Sequence, residues 1–250
     1  TVEWVNVYVH GRYGFVMDGL PVYRNSYNPK IHLAETPIPI DPYAPVKAGV
    51  DCSGRNPAAL FIQQAHDGQL KIVWELVCEG IGAELFAAML KREINSVFPH
   101  NDIVWWGDPA GFYKQNSDER TYADILKAKA GITVRPAPVL RTVPRIQAVE
   151  SLLLRLGPGG KPAVIVSPVC KMFVRGLSGG YKYKRLQAGG TARYAPEPDK
   201  SVRFADVHDA GQYVVCGLGE YNKMTGKNRD NPQGKPPSRA VDLSGSEWSV

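Results

Sequence analysis

The 250-residue sequence has no run approaching the roughly 18 consecutive apolar residues of a membrane-spanning helix, so no membrane partner is expected. Cysteine is scarce. Cys52, Cys78, Cys170 and Cys216 are widely spaced and lie in apolar stretches, with no Cys-x-x-Cys pair, so zinc is not expected. They read as reduced, partly buried thiols of a cytosolic protein. No Gly-x-x-x-x-Gly-Lys-[Ser/Thr] phosphate loop is present. Gly157-Pro158-Gly159-Gly160-Lys161-Pro162 has the wrong spacing and ends in proline, so neither an ATP site nor motor activity is assigned to this chain. No internal repeat is visible. Thr1-Val2-Glu3-Trp4 is neither a signal peptide nor an initiator start, and reads as a cut inside a longer protein.

What is present is an ordinary globular composition with a net charge of +6, which modestly favours a polyanionic partner. Residues 1–45 are rich in aromatics, glycine and proline, closing on Pro37, Pro39, Pro42 and Pro45; they read as an extended connection, with the core beginning at Val46. Val46, Ala48 and Val50 alternate with Lys47, Gly49 and Asp51, which predicts a strand carrying Asp51 on the face opposite the valines. Two further strands, Ala58–Ala65 and Leu70–Cys78, are joined through Asp67-Gly68, a hairpin signal, giving an antiparallel meander of three.

Helical spacing of Leu85, Phe86, Met89, Leu90, Ile94 and Val97 predicts a helix over Gly82–Phe98. A short strand at 103–106 follows and delivers Asp108 at its end. Further helices are predicted over Glu119–Ala130 (stopping at Gly131), Arg145–Leu156 and Val207–Leu218, with strands at Ile132–Val134 and Ala163–Val166 between them. Residues 175–200 are basic and glycine-rich. After residue 220 the chain turns polar and reads as a flexible tail over 221–250. The order describes an α/β protein with helices covering a mixed central sheet.

Three aspartates stand where a chain could offer carboxylates to a divalent metal. Asp51 ends the first strand and precedes Ser53-Gly54; alone, it reads more readily as a turn residue. Asp108 lies between Trp106-Gly107 and Pro109-Ala110-Gly111, where proline presents it at a fixed turn. Asp209 lies one turn after Asp206 near the start of the last apolar helix; capping explains Asp206 better than it explains Asp209. Glu75 and Glu84 are further acids, Glu84 being accounted for by a favourable helix-dipole position. The 171–203 segment holds eight cations, among them Arg175, Lys182, Lys184, Arg185, Arg193 and Lys200, against Glu197 and Asp199. With Tyr181, Tyr183 and Tyr194 interleaved, it suits a hairpin that tracks a phosphate backbone.

Val50-Asp51-Cys52-Ser53-Gly54-Arg55-Asn56-Pro57-Ala58-Ala59, Trp106-Gly107-Asp108-Pro109-Ala110-Gly111 with Asp118-Glu119-Arg120-Thr121, Gly179-Gly180-Tyr181-Lys182-Tyr183-Lys184, and His208-Asp209-Ala210-x-x-Tyr213 together resemble the nuclease domain of tailed-phage large terminases. The likeness runs in order from about Gly19 to Glu220, and Gly19-Leu20-Pro21-Val22-Tyr23 looks like the segment leaving the ATPase domain. It implies a ribonuclease-H-like fold over 46–220, with a three-strand antiparallel meander followed by parallel strands, flanked by helices. Residues 1–45 would then be the extension from the missing ATPase domain, and 175–200 a basic hairpin. The implied activity is divalent-metal endonuclease cutting of concatemeric viral DNA during packaging, in the cytoplasm of an infected bacterium. Asp51, Asp108 and Asp209 match the acidic triad. The implied cofactors are two Mg²⁺ or Mn²⁺ ions, with Asp51 bridging them. The implied partners are double-stranded DNA, the ATPase domain, the terminase small subunit and the portal protein.

Relatives often carry Ser-His where this chain has Ala205-Asp206, and a large apolar residue where it has Gly211, a choice costing about 1 kcal/mol against alanine in mid-helix. Asp206 is therefore either an added metal ligand or a helix cap, with His208 as a neighbour of open role. Two other readings are a DNA- or portal-docking module with a vestigial site, and an actin-like kinase or ATPase, against which stands the lack of a second phosphate loop.

Overall fold

In a computed structural model, which describes residues 19–52, 56–112, 120–186 and 193–226, strand alternation sets the architecture. Strand β2 (Val46–Asp51) places Val46, Ala48 and Val50 in one buried cluster, which leaves Gly49 and Asp51 facing the opposite layer, as the alternation predicts. It pairs antiparallel with β3 (Ala58–Gln64), and β3 with β4 (Leu70–Val77), forming the expected meander with its turn at Asp67-Gly68. Strand β5 (Ile103–Gly107) runs parallel to β2 on its other side, and β6 (Val134–Pro136) parallel to β5. At the far edge β7 (Val164–Val166) runs parallel to β4. The six-stranded order is β6-β5-β2-β3-β4-β7.

Each face of this sheet carries a helical layer. Helix α2 (Ala83–Val97) packs Phe86 and Leu90, and α3 (Tyr122–Ala130) packs Leu126, against Val46, Val50, Phe61 and Trp105. On the other face α4 (Thr142–Leu154) and α6 (Ala205–Gly217) bury Ile146, Val149, Leu152, Val207 and Val214 against Leu60, Ile62 and Val166. Helix α6 has almost no exposed surface from Ala205 to Gly217, a pattern that belongs to a central helix rather than an amphipathic cover.

A second, three-stranded antiparallel sheet joins β1 (Gly19–Pro21) to the hairpin of β8 (Lys182–Leu186) and β9 (Arg193–Pro198). The basic segment is thus a hairpin. Its tip at 187–192, with Gly189-Gly190, lies outside the described residues, as do 1–18, Ser53-Gly54-Arg55, Asp118-Glu119 and 227–250.

Several boundaries differ from the sequence reading for identifiable reasons. The packed core starts before Val46: Val22 and Tyr23 are buried in the α4/α6 layer, and the imidazole of His32, in α1 (Pro29–His32), is buried at hydrogen-bonding distance (2.8 Å) from the Leu153 carbonyl. Helix α4 begins at Thr142 rather than Arg145, because Pro144 sits in its first turn, where a missing N–H leaves no bond unmade. Ile132 closes the end of α3 with its N–H on the Leu126 carbonyl, so strand pairing starts only at Val134. A short helix α5 (Lys171–Arg175) precedes β8, and α7 (Glu220–Thr225) continues the chain past α6.

Candidate active site

Parallel pairing sets the first two carboxylates side by side. Val50 of β2 faces Gly107 of β5; Asp51 is the last residue of β2 and Asp108 the first beyond the end of β5. Asp51 is 1 % exposed, while Asp108 is half-buried and spends Oδ1 on the Ala110 N–H at 2.9 Å, so it shapes its turn as well as facing the cleft. The third, Asp209, is brought over the sheet by α6, whose approach depends on glycine. A Cβ at Gly49 would collide with the backbone carbonyl of Ala210, the residue after Asp209. Gly211 has the same origin: its Cβ would lie 2.9 Å from the Phe173 ring and 3.1 Å from Leu60 Cδ2, so the small residue gives α6 its depth.

Asp51, Asp108, Asp206 and Asp209 line one cleft of about 500 Å³, together with Asn56, Arg145, Lys200 and Tyr213. Burial and then the charges of Asp51, Asp209 and Asp108 raise the Tyr213 phenol, with Arg145 opposing in part, which reports the same convergence electrostatically. Burial, followed by the neighbouring Asp209, pushes the Asp206 carboxyl up to about 6. Asp209 is 4 % exposed; its Oδ2 accepts from Lys200 Nζ, and its Oδ1 lies 3.6 Å from Arg145 Nη2. Arg145 is itself held by Gln212 Oε1 at 3.3 Å and the Leu140 carbonyl at 2.9 Å, and lies 4.6 Å over the Tyr213 ring.

The donor chemistry suits a hard divalent cation: four carboxylates, with Asp209 Oδ1 buried and lacking a hydrogen-bond donor among the described residues. Yet among the described residues no three His, Cys, Asp or Glu side chains are close enough to hold one ion. The carboxylates share a cleft without closing on a common point, and two cations already serve Asp209.

Other expected residues fall elsewhere. Lys184, Arg185 and Arg193 are exposed on the hairpin, Lys182 is half-buried there, and Arg175 is exposed at the end of α5; none of these lines the cleft. Tyr181 is not part of a phosphate-tracking face. It is fully buried, stacked on His208 at 4.7 Å with an interplanar angle of 1°, and its hydroxyl meets Gln212 Nε2. His208 is equally buried between Tyr181 and Phe173, where burial pushes its pKa down to about 3 and keeps it neutral; it does not line the cleft. Glu75 caps α5 by accepting from the Met172 and Phe173 N–H groups at 2.7 and 2.9 Å. Glu84, in the first turn of α2, pairs with Arg120 and Lys129. All four cysteines are free and buried.

The sequence reading passed over Arg145 as an active-site residue and Lys200 as a partner of Asp209. Arg145 carried a signal, since it falls on the apolar stripe of its helix with Ala148, Val149 and Leu152, where an unpaired cation would be costly. Lys200 carried none beyond its place in a basic segment.

The six-stranded mixed sheet, with carboxylates at adjacent strand ends and on the helix crossing them, is a ribonuclease-H-like α/β fold. Within that class the chain has the fold of a phage large-terminase nuclease domain. The crystal structure of the large terminase nuclease from thermophilic phage G20c is similar with a TM-score of 0.50 and 15% identity, over 78% of this chain and 97% of that one. The HK97 bacteriophage large terminase follows with a TM-score of 0.45 and 17% identity; the match takes in 73% of this chain and 41% of that longer one. Thermus thermophilus RuvC, in complex with a Holliday junction substrate, gives 0.35 and 14% over 73% of this chain and 97% of its own. No protein-family model matches the sequence, and no curated protein does.

Proposed function

We propose that this chain is the nuclease domain of a viral DNA-packaging terminase, a divalent-metal-dependent endodeoxyribonuclease that cuts concatemeric double-stranded DNA. The observation that carries this reading is the gathering of Asp51, Asp108 and Asp209, from three distant segments, into one cleft of a terminase-nuclease fold. Asp51, Asp108 and Asp209 would hold two Mg²⁺ or Mn²⁺ ions, with Asp206 as a further oxygen donor at the rim. Such ions, when bound, supply the charge that activates water and stabilises the leaving 3′ oxygen.

The chain's own residues do the rest. The β2/β5 register orients Asp51 and Asp108, Arg145 fixes the Asp209 carboxylate, and the exposed cations of the β8–β9 hairpin offset phosphate repulsion from the acidic cleft. Backbone contacts carry no base code, which suits cutting with little sequence preference. The ATPase domain, small subunit and portal protein are the partners this reading implies, and the bacterial cytoplasm is its setting. Among the described residues no helix is long and apolar enough to cross a membrane.

The test is nicking of supercoiled plasmid at high protein and Mn²⁺ concentration, against Asp51→Ala and Asp209→Asn. The wild-type chain should nick, and both variants should lose activity by at least about a hundredfold while keeping a cooperative thermal transition. Undiminished cleavage in both sinks the assignment. A DNA- or portal-docking module with a vestigial site is the second reading, favoured by the finding that no three acids converge among the described residues. It expects weak Mn²⁺ binding, or none, by calorimetry.

A further inference from the structure

Asp209 is held by two cations of opposite character. The Arg145 side chain is 5 % exposed and has three other attachments, to Gln212, the Leu140 carbonyl and the Tyr213 ring, so it cannot leave without unmaking the core around it. The Lys200 side chain is 46 % exposed, and Asp209 is its only hydrogen-bond partner among the described residues. Its backbone is nonetheless pinned: the preceding Asp199 donates its N–H to the Lys182 carbonyl at 2.8 Å, and the Asp199 carboxylate accepts from the Ser201 N–H at 2.9 Å. Lys200 is thus a flexible cationic arm on a fixed turn, delivered to the cleft from the end of the hairpin.

The charges of the cleft point the same way. Four carboxylates against Arg145 and Lys200 leave it two charges negative, which one divalent ion would neutralise. A second ion would enter a site with no charge left to offset, unless a resident cation withdrew. Lysine suits that role, being a compact charge on four rotatable methylenes, whereas arginine in a buried fork does not.

We propose that Lys200 is a displaceable counter-ion that occupies the place of the second divalent ion at Asp209 Oδ2, while Arg145 stays as the positioning residue for that carboxylate. This rests on the metal-dependent reading above. It makes the metal-free site a closed ion pair that must open for full loading.

Calorimetric titration with Mn²⁺ alone, at about pH 8 and without DNA, tests it on wild type, Lys200→Ala and Lys200→Gln, with Arg203→Ala as a charge control three residues away whose side chain pairs with Glu79. Both Lys200 variants should bind the weaker Mn²⁺ ion at least fivefold more tightly, and Arg203→Ala should match wild type. In wild type, acetylation of Lys200 by acetic anhydride, followed by mass spectrometry, should speed up several-fold when Mn²⁺ is added. Equal or weaker Mn²⁺ binding in both Lys200 variants overturns the counter-ion role and leaves the metal reading standing. So does an equal gain in Arg203→Ala, or Lys200 acetylation indifferent to Mn²⁺. Absence of Mn²⁺ binding in every protein removes the metal reading itself, and this inference with it.

Discussion

Gly49 of β2 lies so close beneath Ala210 of α6 that no side chain fits between them. The contact sits two residues before Asp51 and one after Asp209, so the spacing of two cleft carboxylates is set by the absence of a single methyl group. Because the obstructing atom is a backbone carbonyl in a buried helix, it cannot swing aside. Gly49→Ala should destabilise the chain by at least about 2 kcal/mol, through overpacking. That is a fall in Tm of roughly 5 °C for a chain of this size. Plasmid nicking should fall further than the lost stability explains, since α6 must lift Asp209 from the sheet. An unchanged thermal transition would show that α6 is free to shift.

The hairpin cations make a separable prediction. Lys184, Arg185 and Arg193 are exposed on β8 and β9 and do not line the cleft. Replacing all three by alanine should weaken double-stranded DNA binding and lower the magnitude of the log K against log salt slope by about 3, at roughly 0.9 per phosphate contact. Fluorescence anisotropy across a salt series measures this, and a slope equal to wild type would place the DNA on another face. Mn²⁺ affinity should not change in this variant.

Much of this arrangement was legible in the sequence because it is carried by short periodicities. Val46-Lys47-Ala48-Gly49-Val50-Asp51 states which face Asp51 takes, and Asp67-Gly68 states the meander turn. Local pattern names the three aspartates without joining them, since pairing of β2 with β5 is a contact across more than fifty residues; the inferred fold and the family resemblance are what grouped them. Lys200 and Arg145 escaped for opposite reasons. Lys200 looks like any solvated lysine until the turn after β9 is placed, whereas Arg145 stands at the start of a predicted helix and only the packing of α4 on α6 brings its guanidinium to Asp209. Tyr181 was misassigned because it directly precedes the basic stretch 182–185, whereas it belongs with the buried Leu177, Gly179 and Gly180 before it and turns inward to Gln212.

Gln212 links the third carboxylate to the N-terminal segment. Its Oε1 accepts from Arg145 Nε at 3.3 Å, and its Nε2 lies 3.4 Å from Tyr23 Oη and 3.3 Å from Tyr181 Oη, all of it buried. Gln212→Leu keeps the volume but leaves a charged donor unpaired in the core, at about 1–3 kcal/mol. Tyr23→Phe removes one long bond and should fall nearer about 0.5–1.5 kcal/mol. Urea unfolding should rank them in that order. The reverse ranking would mean that the network holds Tyr23 in place rather than Arg145.

The Asp206 carboxyl gives the chain a pH signature. Burial, then the charge of Asp209, raises it from 3.8 to about 6, with Lys200 opposing. In the unfolded chain it ionises near 3.8, so between these values the folded state keeps a proton that the unfolded state has released. Its contribution to stability is therefore full below 3.8 and lost as pH rises through about 6. Asp206 is only half-buried, so solvent screens the effect to the order of 1 kcal/mol. In EDTA, Asp206→Asn should melt close to wild type near pH 4 and a few degrees above it at pH 8. Adding Mn²⁺ at pH 8 should narrow or reverse that gap if Asp206 serves as an oxygen donor, because wild type then binds the ion more tightly than the variant and gains more from it. A gap of the same size at both pH values in EDTA would mean that Asp206 does not titrate in this window.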